Sequence, residues 1–138
     1  MRVSEALPVR PLILVIEEAH GLRQLILGAL LRAGFHVLTA ANLAQAVSLL
    51  QRLQLQPVLA IVDLHASPLS RTAVVRALSR NQTEVCVIFL VRYIDDPDAV
   101  EPGLILEKPF SVATLCRIVG NVLAQGAPLP MVPDTALR

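Results

Sequence analysis

The sequence predicts an α/β domain in which five parallel strands alternate with helices. Short apolar and β-branched runs, such as LILVI (12–16) and VCVIFLV (85–91), alternate with longer amphipathic stretches, such as residues 43–55. Three of the strands are apolar at consecutive positions, which is typical of strands covered by helices on both faces. The pattern therefore indicates a doubly wound parallel sheet in (βα)5 order.

The individual elements follow from local chemistry. Gly34 ends the first helix, and Asn42 followed by Gln45 predicts a capping box at the start of the second. Pro97 and Pro102 interrupt the connection between strands four and five, so the fourth helix is expected to be short or absent. The predicted strands are 12–16, 35–39, 58–63, 85–91 and 104–107, and the other helices are 22–32, 43–55, 69–80 and 112–124.

Length and composition predict one domain between two tails. The chain has 138 residues, which suits one compact domain. Residues 1–10 lack periodicity and residues 125–138 contain three prolines, so the domain is predicted at 11–124. Hydrophobic residues make up 54% of the chain, which supplies a large core and apolar surface for a partner or a homodimer. For that contact we expect the last helix to present Leu115, Ile118 and Val122.

Charge and hydropathy exclude several classes of function. The net charge is +1, and no basic stripe with interleaved aromatic residues is present, so nucleic acid is not expected as a partner. The apolar run 12–16 meets Glu17 and Glu18 too soon for a signal peptide, and no stretch predicts a membrane span. Cys86 and Cys116 have no metal-ligand spacing and are expected to be free thiols. These features predict a cytoplasmic protein.

Charged residues gather at the predicted carboxyl ends of three strands. Glu17 and Glu18 follow strand one, Asp63 ends strand three, and Lys108, the single lysine, follows strand five. Taken singly, an acidic pair is typical of a solvated loop and an aspartate of a turn. Together they are expected to share one cleft, because ligands of open parallel sheets bind at this edge. Crowded carboxylates favour Mg2+, and an ammonium suits a phosphoryl oxygen, so a phosphoryl-transfer site with weakly bound Mg2+ is predicted.

Three segments resemble the receiver domains of bacterial response regulators, over residues 11–124. LILVIEEAHGLRQLI (12–26) resembles the family's first strand with its acidic pair, LAIVDLHAS (59–67) its phosphoacceptor strand, and LILEKPFSVATL (104–115) its Lys-Pro segment. The resemblance implies a flavodoxin-like fold with a five-stranded parallel sheet. It also implies a signalling protein that changes state on phosphorylation, not an enzyme of metabolism.

The resemblance assigns a role to each residue of the cluster. Asp63 would accept a phosphoryl group from a histidine kinase or a phosphotransfer protein. Glu18 would bind Mg2+ directly with Asp63, Glu17 would help through water, and the backbone carbonyl of His65 would be a further ligand. Lys108 would pair with the phosphoryl oxygen, and the peptide bond after it would be cis.

The sequence departs from the family at its switch. Val91 stands where the family has a threonine or serine, and Ile105 stands where it has an aromatic residue. A valine cannot donate a hydrogen bond to a phosphoryl group, so the usual switch is absent. Ala66-Ser67 replaces the usual Met-Pro, Arg71 replaces a glycine, and glutamates replace the commoner aspartates of the acidic pair.

Three further residues are candidate modulators of the site. His20 either lines the cleft or lies on the loop surface after the acidic pair. Tyr93 and the His65 side chain fall where receiver side chains shade the phosphoryl group, although Tyr93 could equally pack over the shortened loop. Arg92 is expected to swing inward on phosphorylation and replace the missing hydroxyl donor.

Two other functions stay open at this point. A pseudo-receiver would keep the fold and bind partners without phosphorylation; the missing switch favours it, and the retained Asp63 and Lys108 oppose it. A flavin-binding protein would share the strand order. Flavin phosphate needs a loop rich in serine, threonine or glycine after strand one, where Glu17, Glu18 and Ala19 stand instead and two carboxylates would repel it.

Overall fold

The computed structural model describes residues 11–66, 70–79, 85–92 and 103–125. Within these ranges, five parallel strands form one sheet in the order β2-β1-β3-β4-β5. The strands are β1 (Leu12–Ile16), β2 (His36–Ala40), β3 (Leu59–Asp63), β4 (Cys86–Val91) and β5 (Leu104–Glu107). The two edge strands are β2 and β5.

Four α-helices are described: α1 (His20–Arg32), α2 (Leu43–Leu53), α3 (Arg71–Leu78) and α4 (Val112–Ala124), together with a 3-10 turn at Leu64–Ala66. The predicted flavodoxin-like, doubly wound fold is therefore confirmed. The connection from Val91 to Leu104 has too few residues for a helix as long as α1, in agreement with the predicted short or absent fourth helix. Residues 93–102, with Pro97 and Pro102, lie outside the described residues, as do the predicted tail 1–10 and all of the predicted tail 125–138 except Gln125.

Capping chemistry sets the ends of the helices. The Asn42 side chain accepts a hydrogen bond from the Gln45 N–H (2.8 Å), and the Gln45 side chain accepts one from the Ala41 N–H (2.7 Å). The predicted cap is therefore formed, although Gln45 reaches one residue further back than a capping box requires. Gly34, with φ +97°, follows the end of α1. Helix α2 ends two residues earlier than predicted because Gln54 adopts a left-handed backbone conformation.

The core has two layers, one on each face of the sheet. On one face, α2 and α3 cover side chains that include Leu14, Val62 and Phe89. On the other face, α1 and α4 cover side chains that include Ile13, Ile61 and Leu90. The consecutive apolar residues of β1, β3 and β4 thus supply both layers, as expected for a sheet covered on both faces.

The predicted contact surface on the last helix is wrong. Leu115 is 1% exposed and Val122 is 4% exposed, and both belong to the core layer between α4 and the sheet. The sequence pattern marked the apolar side of an amphipathic helix, and that side faces inward because β4 and β5 lie beneath it. The large apolar side chains that are exposed lie elsewhere, with Leu25 at 62% and Leu31 at 51%, both on α1.

Two further expectations concern the cysteines and the membrane. Neither Cys86 nor Cys116 forms a disulfide bond, and both are partly buried. None of the helices in the described part of the chain is long and apolar enough to cross a membrane.

Candidate functional site

The strand order brings the predicted site residues to one edge of the sheet. Glu17 follows β1, Asp63 is the last residue of β3, and Lys108 follows β5. Strands β1 and β3 are neighbours, and β4 alone separates β3 from β5. Glu17 is fully buried and Asp63 is 2% exposed, whereas hydrophobic residues make up most of the rest of the core. Buried charges require partners, so the contacts between these side chains decide the character of the site.

Lys108 lies between the two buried carboxylates. Its Nζ atom is 3.0 Å from Glu17 Oε1 and 3.5 Å from Asp63 Oδ1. Its backbone N–H donates to the Val91 carbonyl oxygen (2.6 Å), which extends the β4–β5 pairing beyond Glu107 and fixes the base of the side chain. The peptide bond from Lys108 to Pro109 is cis. One ammonium group thus stands at the point where the carboxyl ends of three strands converge.

Only one of the two oxygen atoms of the Glu17 carboxylate accepts a hydrogen bond within the described part of the chain. Its Oε2 atom accepts a hydrogen bond from the Ala19 N–H (3.0 Å). Among the residues that the structure describes, its buried Oε1 atom has no hydrogen-bond partner of suitable geometry, and Lys108 Nζ lies 3.0 Å from it as an ion pair. Burial raises the pKa of Glu17, and the neighbouring Asp63 raises it further; the Ala19 N–H and Lys108 lower it and offset part of this increase. Additional positive charge near Glu17 would therefore stabilise its ionised form.

Glu18 and the loop after β1 are organised by Arg23. Glu18 is exposed, and no contact joins its side chain to Asp63 or Lys108 in the described part of the chain. Arg23 Nη1 donates to the backbone carbonyl oxygens of Glu17 (2.8 Å) and Glu18 (3.3 Å), and Nη2 lies 3.0 Å from His20 Nδ1. The sequence reasoning missed Arg23. The signal was an arginine in the second turn of the helix that follows the acidic pair.

This arrangement bears on the predicted metal ligands. The structure brings Glu17, and not Glu18, beside Asp63, so the division of roles between the two glutamates remains a prediction. The His65 N–H donates to Asp63 Oδ1 (3.0 Å), which places the His65 backbone next to the carboxylate, while the His65 side chain is exposed. Among the described residues, no group of three or more histidine, cysteine, aspartate or glutamate side chains could hold a metal ion.

A magnesium ion is nevertheless compatible with this donor set. Mg2+ is commonly held by one or two carboxylates, with waters and a substrate phosphate completing its shell. Glu17 and Asp63 supply two carboxylates, and Glu17 Oε1 is a buried oxygen without a hydrogen bond. The residues present therefore fit Mg2+.

The positions of the degenerate switch differ in environment. Val91 is 5% exposed at the end of β4, so its apolar side chain is buried close to the site. Ile105 is 37% exposed on the edge strand β5. Arg92 is exposed, and Tyr93 lies outside the described residues. Neither Val91 nor Ile105 can donate a hydrogen bond through its side chain.

Comparisons of the sequence with protein-family models and with curated proteins give no match. Solved structures do match. The signal receiver domain of a putative Luxo repressor protein from Vibrio parahaemolyticus has a TM-score of 0.69 and 21% identity over 85% of this chain and 92% of that chain. The chemotaxis protein CheY4 of Vibrio cholerae has a TM-score of 0.68 and 22% identity over 83% of this chain and 99% of that chain.

A two-component response regulator from Clostridium difficile has a TM-score of 0.69, with 18% identity over 84% of this chain and 98% of that chain. Each of these similarities covers 83% to 85% of this chain, at a sequence identity of 18% to 22%. The chain therefore has the CheY-like fold of response-regulator receiver domains, and its charged residues lie at the carboxyl edge of that fold. The fold alone does not determine the function of this edge of the sheet, which depends on the chemistry of its residues.

Proposed function

We propose that this protein is a receiver of cytoplasmic two-component signalling that accepts a phosphoryl group on Asp63 from a histidine kinase or a phosphotransfer protein. The observation that carries the proposal is the position of the Lys108 ammonium, 3.0 Å from Glu17 and 3.5 Å from Asp63. A buried carboxylate beside a single flexible ammonium suits the transfer of a phosphoryl group, whose oxygens carry negative charge. The receiver-domain fold of the compared structures supports the same conclusion.

The proposed reaction uses few groups of this chain. An oxygen of the Asp63 carboxylate forms a bond to phosphorus while the phosphorus–nitrogen bond of the donor phosphohistidine breaks. The electron pair of that bond remains on the imidazole, which leaves with its protein. The His65 N–H holds Asp63 Oδ1, so the carboxylate has a fixed orientation before the donor arrives. Lys108 neutralises charge on the transferred group, and the aspartyl phosphate is the signalling state, with no metabolic product.

Mg2+ would be held by Asp63 with the acidic pair Glu17 and Glu18 and the His65 carbonyl. Bound there, it would neutralise charge on the phosphoryl oxygens. Glu17 supports this part of the proposal because its pKa is raised by burial and by Asp63, and added positive charge would stabilise its ionised form. Arg23 contributes by holding the two backbone carbonyls of the acidic pair in place.

A second candidate is supported by one observation. Val91 and Ile105 cannot form the hydroxyl and aromatic switch, so a pseudo-receiver that binds its partner without phosphorylation is the alternative. The two functions differ in what the site does with a phosphate mimic. A phosphoacceptor binds the mimic at Asp63, and a pseudo-receiver does not.

The test is titration of the protein with beryllofluoride and Mg2+, followed by backbone amide spectra. We expect saturable shifts at Asp63, His65 and Lys108 in the wild type and none in Asp63→Asn. Glu17→Gln should weaken the response, whereas Glu107→Gln, which neutralises an exposed carboxylate next to Lys108, should leave it unchanged. A wild type that shows no shift with both ions present would refute phosphoacceptance and favour the pseudo-receiver.

A further inference from the structure

Besides Glu17 and Asp63, a third charged residue is buried among the described residues, away from the acidic cleft. Arg71 is the first residue of α3 and is 5% exposed, although arginine is among the residues least often buried. A guanidinium removed from water must be compensated by specific contacts. Its contacts therefore indicate what this side chain holds in place.

Two of these contacts are to β4 and to the residue before the edge strand β5. The Arg71 guanidinium lies over the ring of Phe89, 5.2 Å from its centre. Its Nη2 atom donates a hydrogen bond to the carbonyl oxygen of Gly103 (3.0 Å). Phe89 is in the middle of β4, and Gly103 immediately precedes β5. One side chain therefore connects the segment that follows the phosphoacceptor strand to the start of β5.

Gly103 is fitted tightly into this arrangement. Its φ is +91°, and a Cβ atom at this position would lie 2.7 Å from Phe89 Cε2 and 2.9 Å from the Val87 carbonyl oxygen. The backbone of Gly103 thus lies directly against the edge of the ring that Arg71 covers. Arginine is suited to both contacts because its planar cation can stack on a ring while its N–H groups bind a carbonyl.

The start of β5 determines where Lys108 lies. Strand β5 has four residues, pairs with β4 along one side, and is partly exposed along its length. Such a short edge strand depends on few contacts for its position. Lys108 follows it directly, so a shift of Gly103 along the β4 ladder would carry the ammonium away from Glu17 and Asp63.

We propose that Arg71 is a positioning residue that fixes the start of β5 and thereby holds the Lys108 ammonium at the phosphoacceptor. The inference rests on the proposed function for its consequence in phosphoryl transfer, but the contact itself can be tested without any phosphoryl donor. Arg71→Met keeps an apolar stem over Phe89 and removes the hydrogen bond to Gly103. Arg71→Lys keeps a charged donor without the planar group. Arg76→Met, on the exposed side of the same helix, is the matched control.

The first measurement is amide hydrogen exchange of the whole chain without Mg2+ or a phosphate mimic. In Arg71→Met, the Lys108 amide, which donates to Val91, should exchange about tenfold faster, as expected from the loss of a hydrogen bond with a charged donor. Amides of β1 and β3 should keep their protection. Arg71→Lys should recover part of the protection at Lys108, and Arg76→Met should match the wild type.

The second measurement separates positioning from a general loss of stability. The affinity for beryllofluoride in the presence of Mg2+ should fall in Arg71→Met, because Lys108 is displaced, while the affinity for Mg2+ alone should stay unchanged, because the carboxylates remain in place. If exchange at Lys108 rises no more than exchange in β1 and β3, Arg71 acts only on global stability and the inference is wrong.

Failure of the inference can be told from failure of the proposed function. A wild type that ignores beryllofluoride, combined with the selective exchange change in Arg71→Met, would refute phosphoacceptance and leave the positioning role standing. A wild type that binds beryllofluoride, combined with no selective exchange change in Arg71→Met, would support phosphoacceptance and refute the positioning role of Arg71. If Arg71→Met does not fold, Phe89→Leu provides the same exchange test, since it removes the ring and keeps the arginine. We expect a smaller but selective increase in the exchange rate of the Lys108 amide. A uniform increase across the amides of the sheet would contradict the inference.

Discussion

Replacing Lys108 with methionine should destabilise the protein at neutral pH by an amount that the ion-pair distances indicate. At an effective dielectric constant of about 20, unit charges separated by the 3.0 Å and 3.5 Å of the two pairs attract by about 5 kcal/mol each. The cost of removing the partly buried ammonium from water offsets much of this attraction. A net loss of about 3 kcal/mol in the free energy of unfolding is expected, because two buried carboxylates lose their shared cation.

Urea denaturation at about pH 7 and at about pH 3 measures this effect. At the lower pH, the Glu17 carboxyl, whose pKa is raised by burial, is protonated and its charge disappears, so the loss in Lys108→Met should become smaller. In a Glu17→Gln background, the same substitution should cost less, because one of the two carboxylates is already neutral. Arg117→Met, on the exposed side of α4, is the control and should have little effect at either pH. An equal loss at both pH values would refute the electrostatic reasoning.

The remaining predictions concern Glu17, two glycines and a helix cap. Because the pKa of Glu17 is raised above its ordinary value of 4.5, the folded state holds the proton more tightly than the unfolded chain, and stability falls as pH rises through the folded pKa. Urea denaturation of Glu17→Gln across this pH range should show a smaller decrease in the free energy of unfolding than the wild type. An equal decrease in both proteins would contradict the argument from burial. Gly103→Ala should lower the free energy of unfolding by about 2–4 kcal/mol, because φ +91° and the contact with Phe89 both oppose a Cβ atom. Gly34→Ala, with φ +97° and nothing within 4 Å of the added Cβ atom, should lower it by only about 1–2 kcal/mol. Equal losses in urea denaturation would show that the contact with Phe89 is unimportant. Asn42→Ala should lower the free energy of unfolding by about 1 kcal/mol through loss of the cap on Gln45, and an unchanged melting temperature would argue against that cap.

The fold could be read from the sequence because each strand is marked by its own composition. LILVI, LAIVD and CVIFLV have no polar alternation, so each had to be a strand covered on both faces, and all three are central in the sheet. The helix boundaries were less certain. Helix α2 ends at Leu53 because Gln54 turns left-handed, and no glycine or asparagine marks that position in the sequence.

The convergence of Glu17, Asp63 and Lys108 was predictable because parallel strands end at one edge of a sheet. The sequence did not predict which of the two glutamates is buried. Glu17 and Glu18 are adjacent and identical in type, so their burial depends only on the path of the backbone as it leaves β1. The contacts of Arg23 and Arg71 were also not predicted. Arg23 binds the carbonyl oxygens of Glu17 and Glu18, and its position shortly after the acidic pair was the one sequence signal for this contact. Arg71 binds the carbonyl oxygen of Gly103 far along the chain, and no sequence signature separates such an arginine from a solvated one.

The phosphoacceptor role of Asp63 is tested most directly by the mass of the intact protein after incubation with Mg2+ and acetyl phosphate. The wild type and Glu107→Gln should each gain the mass of one phosphoryl group, and Asp63→Asn should gain none. Lys108→Met should gain it more slowly, because the ammonium that neutralises the transferred group is missing. No gain in the wild type, or the same gain in Asp63→Asn, would contradict phosphorylation of Asp63.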